Sequence, residues 1–162
     1  MDLNRTSLLF TVREHLRNGR LAEGLSEMQL LLTRYPDDGR VQCLQGHVLM
    51  TYLQEFTAAE EAYRQALRNA PDYVELYYEY TGLLLRMDRS TEAIAILNRG
   101  MQVPGIEKDL LYRLMGQVYE RESRWNDAME EYTRAVRYSF EQDRISIYIN
   151  DIERVKTKMS YR

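Results

Sequence analysis

The side chains best suited to chemistry are Cys43 and His47, which lie four positions apart on one predicted helix. Residues at this spacing share a helix face, so the pair could form a thiolate–imidazole couple or half of a metal site. The chain has no second cysteine, and its other histidine, His15, belongs to a different repeat of the predicted fold. Because a four-coordinate zinc site would need carboxylates for its remaining ligands, we expect neither catalysis nor a metal at this pair.

A second group whose residue types could take part in chemistry is the carboxylate pair Asp37 and Asp38. The pair follows Pro36 at the start of a predicted helix. Acidic side chains at that position cap the free N–H groups of a first helical turn, so we expect a capping role. The sequence contains no glycine-rich phosphate loop, nucleophile elbow or HExxH motif. It therefore predicts a chain that is not an enzyme and that needs no cofactor.

The composition is that of an ordinary globular chain with a slightly acidic balance. Its 162 residues include 22 Lys+Arg and 25 Asp+Glu, for a formal charge of −3, and 44% are apolar. This length predicts a single domain over residues 1–162. The charge argues against a nucleic-acid partner, and the absence of any apolar run near ~20 residues predicts no membrane insertion. With one cysteine and no signal-like start, the sequence favours a cytoplasmic location.

The elements that must position these residues are helices arranged at a regular interval. The three prolines stand at 36, 71 and 104, and between them apolar residues recur every three or four positions. Thr57 followed by Glu60 has capping-box spacing, which marks a helix start. No segment alternates with period two. The sequence predicts an all-α chain with helices at 4–18, 21–35, 38–54, 57–70, 72–87, 90–102, 107–122, 125–138 and 142–159.

At a period of 34 to 35 residues, the helix pairs resemble tetratricopeptide (TPR) repeats. The fourth pair matches the family pattern at Tyr112, Gly116, Tyr119, Trp125, Ala128, Tyr132 and Ala135. The second matches at Gly46, Phe56, Ala59, Tyr63, Ala66 and Pro71, with one extra residue in the turn between its helices. The resemblance implies a right-handed superhelical solenoid of about four helix-turn-helix repeats, over residues 5–38, 39–73, 74–107 and 109–141.

Residues 142–159 are predicted to form a C-terminal capping helix that covers the last repeat. Its apolar residues make one stripe, composed of Ile145, Tyr148, Ile149, Ile152, Val155 and Met159. A dimerisation helix is the alternative interpretation of the same stripe.

The resemblance also implies a concave groove lined by the first helix of each pair. The predicted partner-binding residues are Arg13, Arg17, Arg40, His47, Met50, Glu79, Leu83, Arg86, Arg113, Gln117 and Arg121, with Leu9, Cys43 and Tyr78 beside them. Arginine predominates, and guanidinium groups suit an acidic peptide with apolar anchors. The alternative is that these arginines pair within the chain, with Glu14, Glu75, Glu79 and Glu120. The sequence leaves both interpretations open.

Several tyrosines cluster at the start of one predicted helix, at Tyr73, Tyr77, Tyr78 and Tyr80. We expect most of them to pack in the core, although exposed members could serve as binding hot spots. The function predicted for the chain is that of a non-enzymatic protein–protein interaction adaptor or scaffold that binds a partner segment in the groove. The alternatives are a cytosolic chaperone of a secretion system and a self-assembling structural unit, so a homo-oligomer is also considered.

Overall fold

The computed structural model describes residues 3–161, which form nine α-helices, one π-helical turn and no β-strand. The elements are α1 (Leu3–Arg17), α2 (Leu21–Arg34), α3 (Gly39–Val48), the π turn (Leu49–Leu53), α4 (Phe56–Asn69), α5 (Val74–Arg86), α6 (Ser90–Gly100), α7 (Lys108–Arg121), α8 (Trp125–Tyr138) and α9 (Gln142–Ser160). The predicted all-α fold is confirmed, with helix ends within about two residues of expectation. Over this range, no helix combines the length and apolar character that crossing a bilayer requires.

A residue in the left-handed region ends the first helix of each pair. These residues recur every 34 or 35 positions, at Gly19, Gln54, Asp88 and Ser123, with φ between 56° and 72°. The N–H that follows each of them reaches back to a carbonyl at the end of the first helix, as Arg20 does to His15 at 2.8 Å. The turn thereby satisfies carbonyl groups that the helix end would leave without a partner.

The extra residue of the second pair is absorbed by the π turn. Eight positions separate Gly46 from Gln54, whereas seven separate Gly116 from Ser123 in the fourth pair. The N–H of Glu55 accordingly bonds the Leu49 carbonyl six residues back, at 2.9 Å. Because a π turn accommodates one additional residue within a helix, α3 and α4 can pack as the other pairs do.

Glycine lets the two helices of a pair approach closely at two equivalent positions. A Cβ atom placed on Gly46 would lie 2.6 Å from the ring of Tyr63, and one placed on Gly116 would lie 2.6 Å from the ring of Tyr132. Both rings are completely buried. Each glycine therefore leaves the space that the facing tyrosine fills.

Of the helix caps predicted at Asp38 and at Thr57 with Glu60, the first is present and the second is not. Asp38 caps α3 as predicted, since its carboxylate accepts hydrogen bonds from the N–H groups of Arg40 and Val41 at 2.9 and 3.2 Å. The capping box at Thr57 and Glu60 was wrong. Helix α4 begins at Phe56, directly after the left-handed turn, so Thr57 is already inside the helix and Glu60 pairs with Arg64 at 2.6 Å.

The chain divides into two compact units, the first ending at Glu79 and the second beginning at Tyr80, so the boundary falls within α5. The first unit has a core formed between α1, α2 and α3, which contains Val12, Leu16, Met28, Leu31, Val41, Leu44 and Val48. In the second unit, one core cluster joins α8 to α9 through Ala128, Tyr132 and Val155. The expectation of a single domain over residues 1–162, with the four repeat ranges given above, stays a prediction.

Helix α9 packs along α8 through most of the predicted apolar stripe. Tyr148 and Val155 are buried and Ile145 and Ile152 are half-buried, whereas Ile149 and Met159 remain exposed. The stripe is corrected at these two exposed residues, and the buried face also contains Asp151, an acidic residue outside the predicted stripe. Asp151 is held there by Arg113 of α7 and by Arg154 of α9, at 2.8 and 2.6 Å.

Candidate partner-binding face

In the first unit, the predicted binding residues Arg13 of α1 and Arg40 of α3 join Tyr73 and Glu75 in one polar network. Both terminal nitrogens of Arg13 donate to Glu75, at 2.6 and 2.9 Å, and the hydroxyl of Tyr73 donates to the same carboxylate. The guanidinium of Arg40 lies 5.6 Å above the Tyr73 ring. Partial burial raises the pKa of Glu75, but the hydrogen bonds from Arg13 and Tyr73 outweigh it and hold that pKa below its usual value. Glu75 is therefore a carboxylate that fixes the orientation of Arg13.

His47 and Glu79 form a second pair on the same face. His47 Nδ1 lies 2.9 Å from Glu79 Oε2, and the hydroxyl of Tyr63 donates to that oxygen at 3.4 Å. The ring of Tyr52 meets His47 edge-on, with ring centres 6.1 Å apart. Tyr52 belongs to the π turn, the segment that accommodates the inserted residue of the second pair.

An open cavity of about 130 Å³ lies between α1 and α3. Its lining consists of three basic side chains, two leucines and one tyrosine: Arg13, Arg17, His47, Leu16, Leu44 and Tyr52. Glu14, Glu75 and Glu79, the acids that pair with the basic groups, are not part of the lining. The cavity wall therefore offers donors and apolar contact to a ligand group, with no acid facing it.

Cys43 is buried beneath this face. Burial raises the pKa of its thiol, and the nearby carboxylates of Glu75 and Glu79 raise it further. A thiol in such surroundings is a poor nucleophile and a poor metal ligand, because both roles need the thiolate. Across residues 3–161, no group of three or more His, Cys, Asp and Glu side chains is arranged to hold a metal ion.

Two predicted groove residues do not lie on any accessible face. Met50 and Leu83 are buried, so the interpretation of both as binding residues is corrected. Met50 falls in the π turn, and both side chains belong to the apolar core positions of their helices. Leu9 is half-buried against the core of the first unit. Of the tyrosine cluster, Tyr77 and Tyr80 are buried, as core packing predicts.

In the second unit, the predicted arginines differ in their surroundings. Arg113 donates through Nε to the buried Asp151 at 2.8 Å and lies 5.8 Å from the Tyr148 ring centre. Arg121 pairs with Asp88 at the exposed turn before α6. Arg86 is exposed, and no ion-pair partner for it occurs in the described part of the chain, while Gln117 is half-buried. Arg113 is therefore fixed by its contact with Asp151, whereas the side chain of Arg86 is accessible to a partner.

The internal-pairing alternative applies to part of the predicted set. Arg17 pairs with Glu14, Arg13 with Glu75, and His47 with Glu79, as that alternative expects. Glu120 instead pairs with Arg154 and Lys158 of α9. The sequence interpretation missed Tyr52, an aromatic member of the face, whereas Tyr73 belongs to the cluster of tyrosines whose exposed members could serve as binding hot spots. The extra residue in the turn of the second pair was the signal that could have led to Tyr52.

The comparisons with known proteins concern the repeats and the fold. Residues 53–103 match the sequence model described as tetratricopeptide repeat. No curated protein matches the chain in sequence. Among solved structures, PilF of Pseudomonas aeruginosa is similar over 97% of this chain and 69% of its own, with TM-score 0.82 and 18% identity.

Two further solved structures have the same architecture. PilW, described as a widely conserved type IV pilus biogenesis factor, is similar over 97% of this chain and 80% of its own, with TM-score 0.75 and 15% identity. A thermophilic TPR protein of Thermus thermophilus is similar over 91% of this chain and 81% of its own, with TM-score 0.75 and 16% identity. At these identities the likeness is one of fold.

Proposed function

Since the chain contains tetratricopeptide repeats, we propose that it is a non-enzymatic adaptor that binds a segment of a partner protein on the first helices of its repeats. The observation that carries this proposal is the cavity between α1 and α3, with its basic and apolar lining. Because such a surface is preformed, it loses little side-chain conformational entropy when it binds a segment. The buried, protonated thiol of Cys43 gives no support to a catalytic function.

The partner that suits this surface is an acidic segment with apolar anchors. A carboxylate would pair with Arg17, whose contact with Glu14 is exposed and is exchanged at little cost. An adjoining apolar side chain would contact Leu16, Leu44 and the ring of Tyr52. Arg13 has a different role in this proposal, since Glu75 already holds both ends of its guanidinium group.

The residues proposed to contact the partner are therefore a subset of the predicted groove. Arg17, Arg40, His47 and Tyr52 are the contacts offered by the first unit, and Arg86, Gln117 and Arg121 those offered by the second. Arg13 and Arg113 maintain the structure through Glu75 and Asp151. Arg121 pairs with the exposed Asp88, a contact that is exchanged at little cost, so Arg121 stays among the proposed contacts. A more specific form of this proposal is that the chain lies in the cytoplasm and acts as a chaperone of a secretion system. Its partner would then be a protein that it binds before export.

The test is affinity capture from native lysate with the wild-type chain and an Arg17→Glu/Arg40→Glu variant. The matched control is Arg34→Glu/Arg99→Glu, which makes the same charge change at exposed positions on second helices α2 and α6. Circular dichroism establishes that all three are equally helical. A partner held by wild type and control but lost by the face variant supports the proposal, and calorimetry with that purified partner then measures direct binding. Equal capture by all three contradicts it.

A self-assembling unit is the second candidate function, because α9 leaves Ile147 and Ile149 exposed by 43% and 45%. Ile149 lies one helical turn from the half-buried Ile145 and Ile152, and a contiguous exposed apolar patch is typical of contact with another chain. Sedimentation at a series of protein concentrations tests this candidate. A mass that rises with concentration, and that Ile149→Glu returns to the monomer value, supports self-assembly, whereas a monomer at every concentration contradicts it.

A further inference from the structure

A separate surface lies within the second unit, where the turn before α7 meets the segment between α8 and α9. It is an open pocket of about 330 Å³, here called the Phe140 pocket. Its lining joins apolar and charged side chains, among them Ile106, Tyr138, Phe140, Glu107, Glu141 and Arg144. None of these residues belongs to the predicted partner-binding face.

The apolar part of the pocket is unusually accessible. Phe140 is 100% exposed, and Tyr138 is exposed by 49%. The ring of Tyr138 contacts the ring of Tyr112, with ring centres 5.1 Å apart and an angle of 43° between the planes. Tyr138 and Phe140 both line the pocket and leave apolar surface in contact with water. Exposed aromatic residues of this kind are common anchors in binding sites.

The charged part of the pocket has more carboxylates than cations. Arg144 contacts Glu107, Asp109 and Glu141, the last two at 3.3 and 2.9 Å. Asp109 is buried and also accepts from the hydroxyl of Tyr148 at 2.9 Å. Glu107 and Glu141 are half-exposed or more, so their remaining lone pairs face solvent. Among the lining residues, Lys108 is the other cation, which leaves the pocket with a net negative charge.

We propose that the Phe140 pocket binds an arginine side chain presented by a partner polypeptide. The planar guanidinium stacks on the aromatic faces of Tyr138 and Phe140 and donates to the exposed carboxylates of Glu107 and Glu141. Arg144 already makes the same kind of bond to these acids from within the chain. Arginine suits the pocket better than lysine, because its fork of donors can serve two carboxylates at once. This surface is independent of the function proposed above.

The experiment is a titration of the full, ¹⁵N-labelled chain followed by amide chemical shifts. The probe is acetyl-Gly-Arg-Gly-amide, and the matched probe carries citrulline, which keeps the shape of arginine and removes its charge. We expect the arginine probe to shift amides of residues 106–109 and 138–144, with a dissociation constant in the millimolar range. The citrulline probe should bind about fivefold more weakly, since it loses the cation–π contact and the charge-assisted bonds.

Single substitutions then assign the contacts. Phe140→Ala and Glu141→Gln, both at exposed positions, should each weaken the arginine probe about threefold. Phe10→Ala, an exposed phenylalanine of the first unit, is the control and should leave binding unchanged. Equal binding of the citrulline probe, wild-type affinity in Phe140→Ala, or shifts confined to other residues would each overturn the proposal. Equal affinity for a lysine probe would overturn the choice of arginine.

Discussion

Glu120 accepts hydrogen bonds from three side chains that together anchor α9. Arg154 donates to both of its oxygens at 2.9 and 2.6 Å, Lys158 donates at 2.8 Å, and Tyr132 of α8 donates at 2.7 Å. The bonds from Arg154, together with those from Lys158 and Tyr132, exceed the opposing effect of burial and lower the pKa of Glu120 to about 2. The folded chain therefore binds this proton much less readily than the unfolded chain.

We expect Glu120→Gln to lower the free energy of unfolding at neutral pH by about 2 kcal/mol. Because the pKa of the folded form is depressed, this stabilisation is complete above the usual value near 4.5 and is lost as the pH falls towards about 2. The difference between wild type and variant should therefore shrink below pH 4.5 and disappear as the pH falls through about 2. Urea unfolding at a series of pH values measures it, with the exposed Glu130→Gln as control. A difference that is constant with pH would contradict this account.

Glycine substitutions should have opposite signs at Gly46 and Gly82. Gly46→Ala places a Cβ against the buried Tyr63 ring, so we expect a loss of about 2 kcal/mol in unfolding free energy from overpacking. Gly82 lies inside α5 with open space around its Cα, and Gly82→Ala should add about 0.5–1 kcal/mol through helix propensity. Chemical denaturation of both variants measures the two effects. Equal effects at the two sites would show that tyrosine packing is not what requires Gly46.

At the scale of helices, the sequence was sufficient for most of the fold. Apolar spacing and the recurring prolines predicted every helix between residues 3 and 161, because both signals are local. The apolar part of the buried face of α9 was predicted, but Asp151 within that face was missed, since its burial depends on Arg113, 38 positions earlier. The candidate site was predicted only in part for the same reason. The spacing identified Arg13 and His47, but not that Glu75 and Glu79 hold them, nor that a π turn adds Tyr52.

Replacing Arg113 and replacing Arg86, two arginines of the predicted groove, should have different effects on stability. Arg113→Ala leaves the buried Asp151 with only Arg154, so we expect the free energy of unfolding to fall by about 2 kcal/mol. Arg86→Ala removes an exposed side chain and should change it by less than about 0.5 kcal/mol. Denaturation midpoints compare the two variants directly. A large loss from Arg86→Ala would mean that α5 depends on a contact absent from this account.

At the scale of the whole chain, the boundary between the two units falls inside α5, so one continuous helix contains residues of both. Repeat chains of few units unfold cooperatively when neighbouring repeats share their elements. We expect urea unfolding followed by fluorescence of Trp125, the single tryptophan and a residue of the second unit, to coincide with unfolding followed by circular dichroism. Gly46→Ala, in the first unit, should lower both midpoints equally. A Trp125 midpoint that this substitution leaves unchanged would show that the units unfold separately.

The burial of Cys43 has a practical consequence for measuring motion in the native state. As the chain's single cysteine, buried in α3, it can react with a thiol reagent only when that helix opens locally. The rate of modification at high reagent concentration therefore reports how often the first unit exposes its interior. Because no label has to be introduced, the natural chain can be compared with and without a bound partner, and a slower reaction would locate the stabilising effect of that partner at α3.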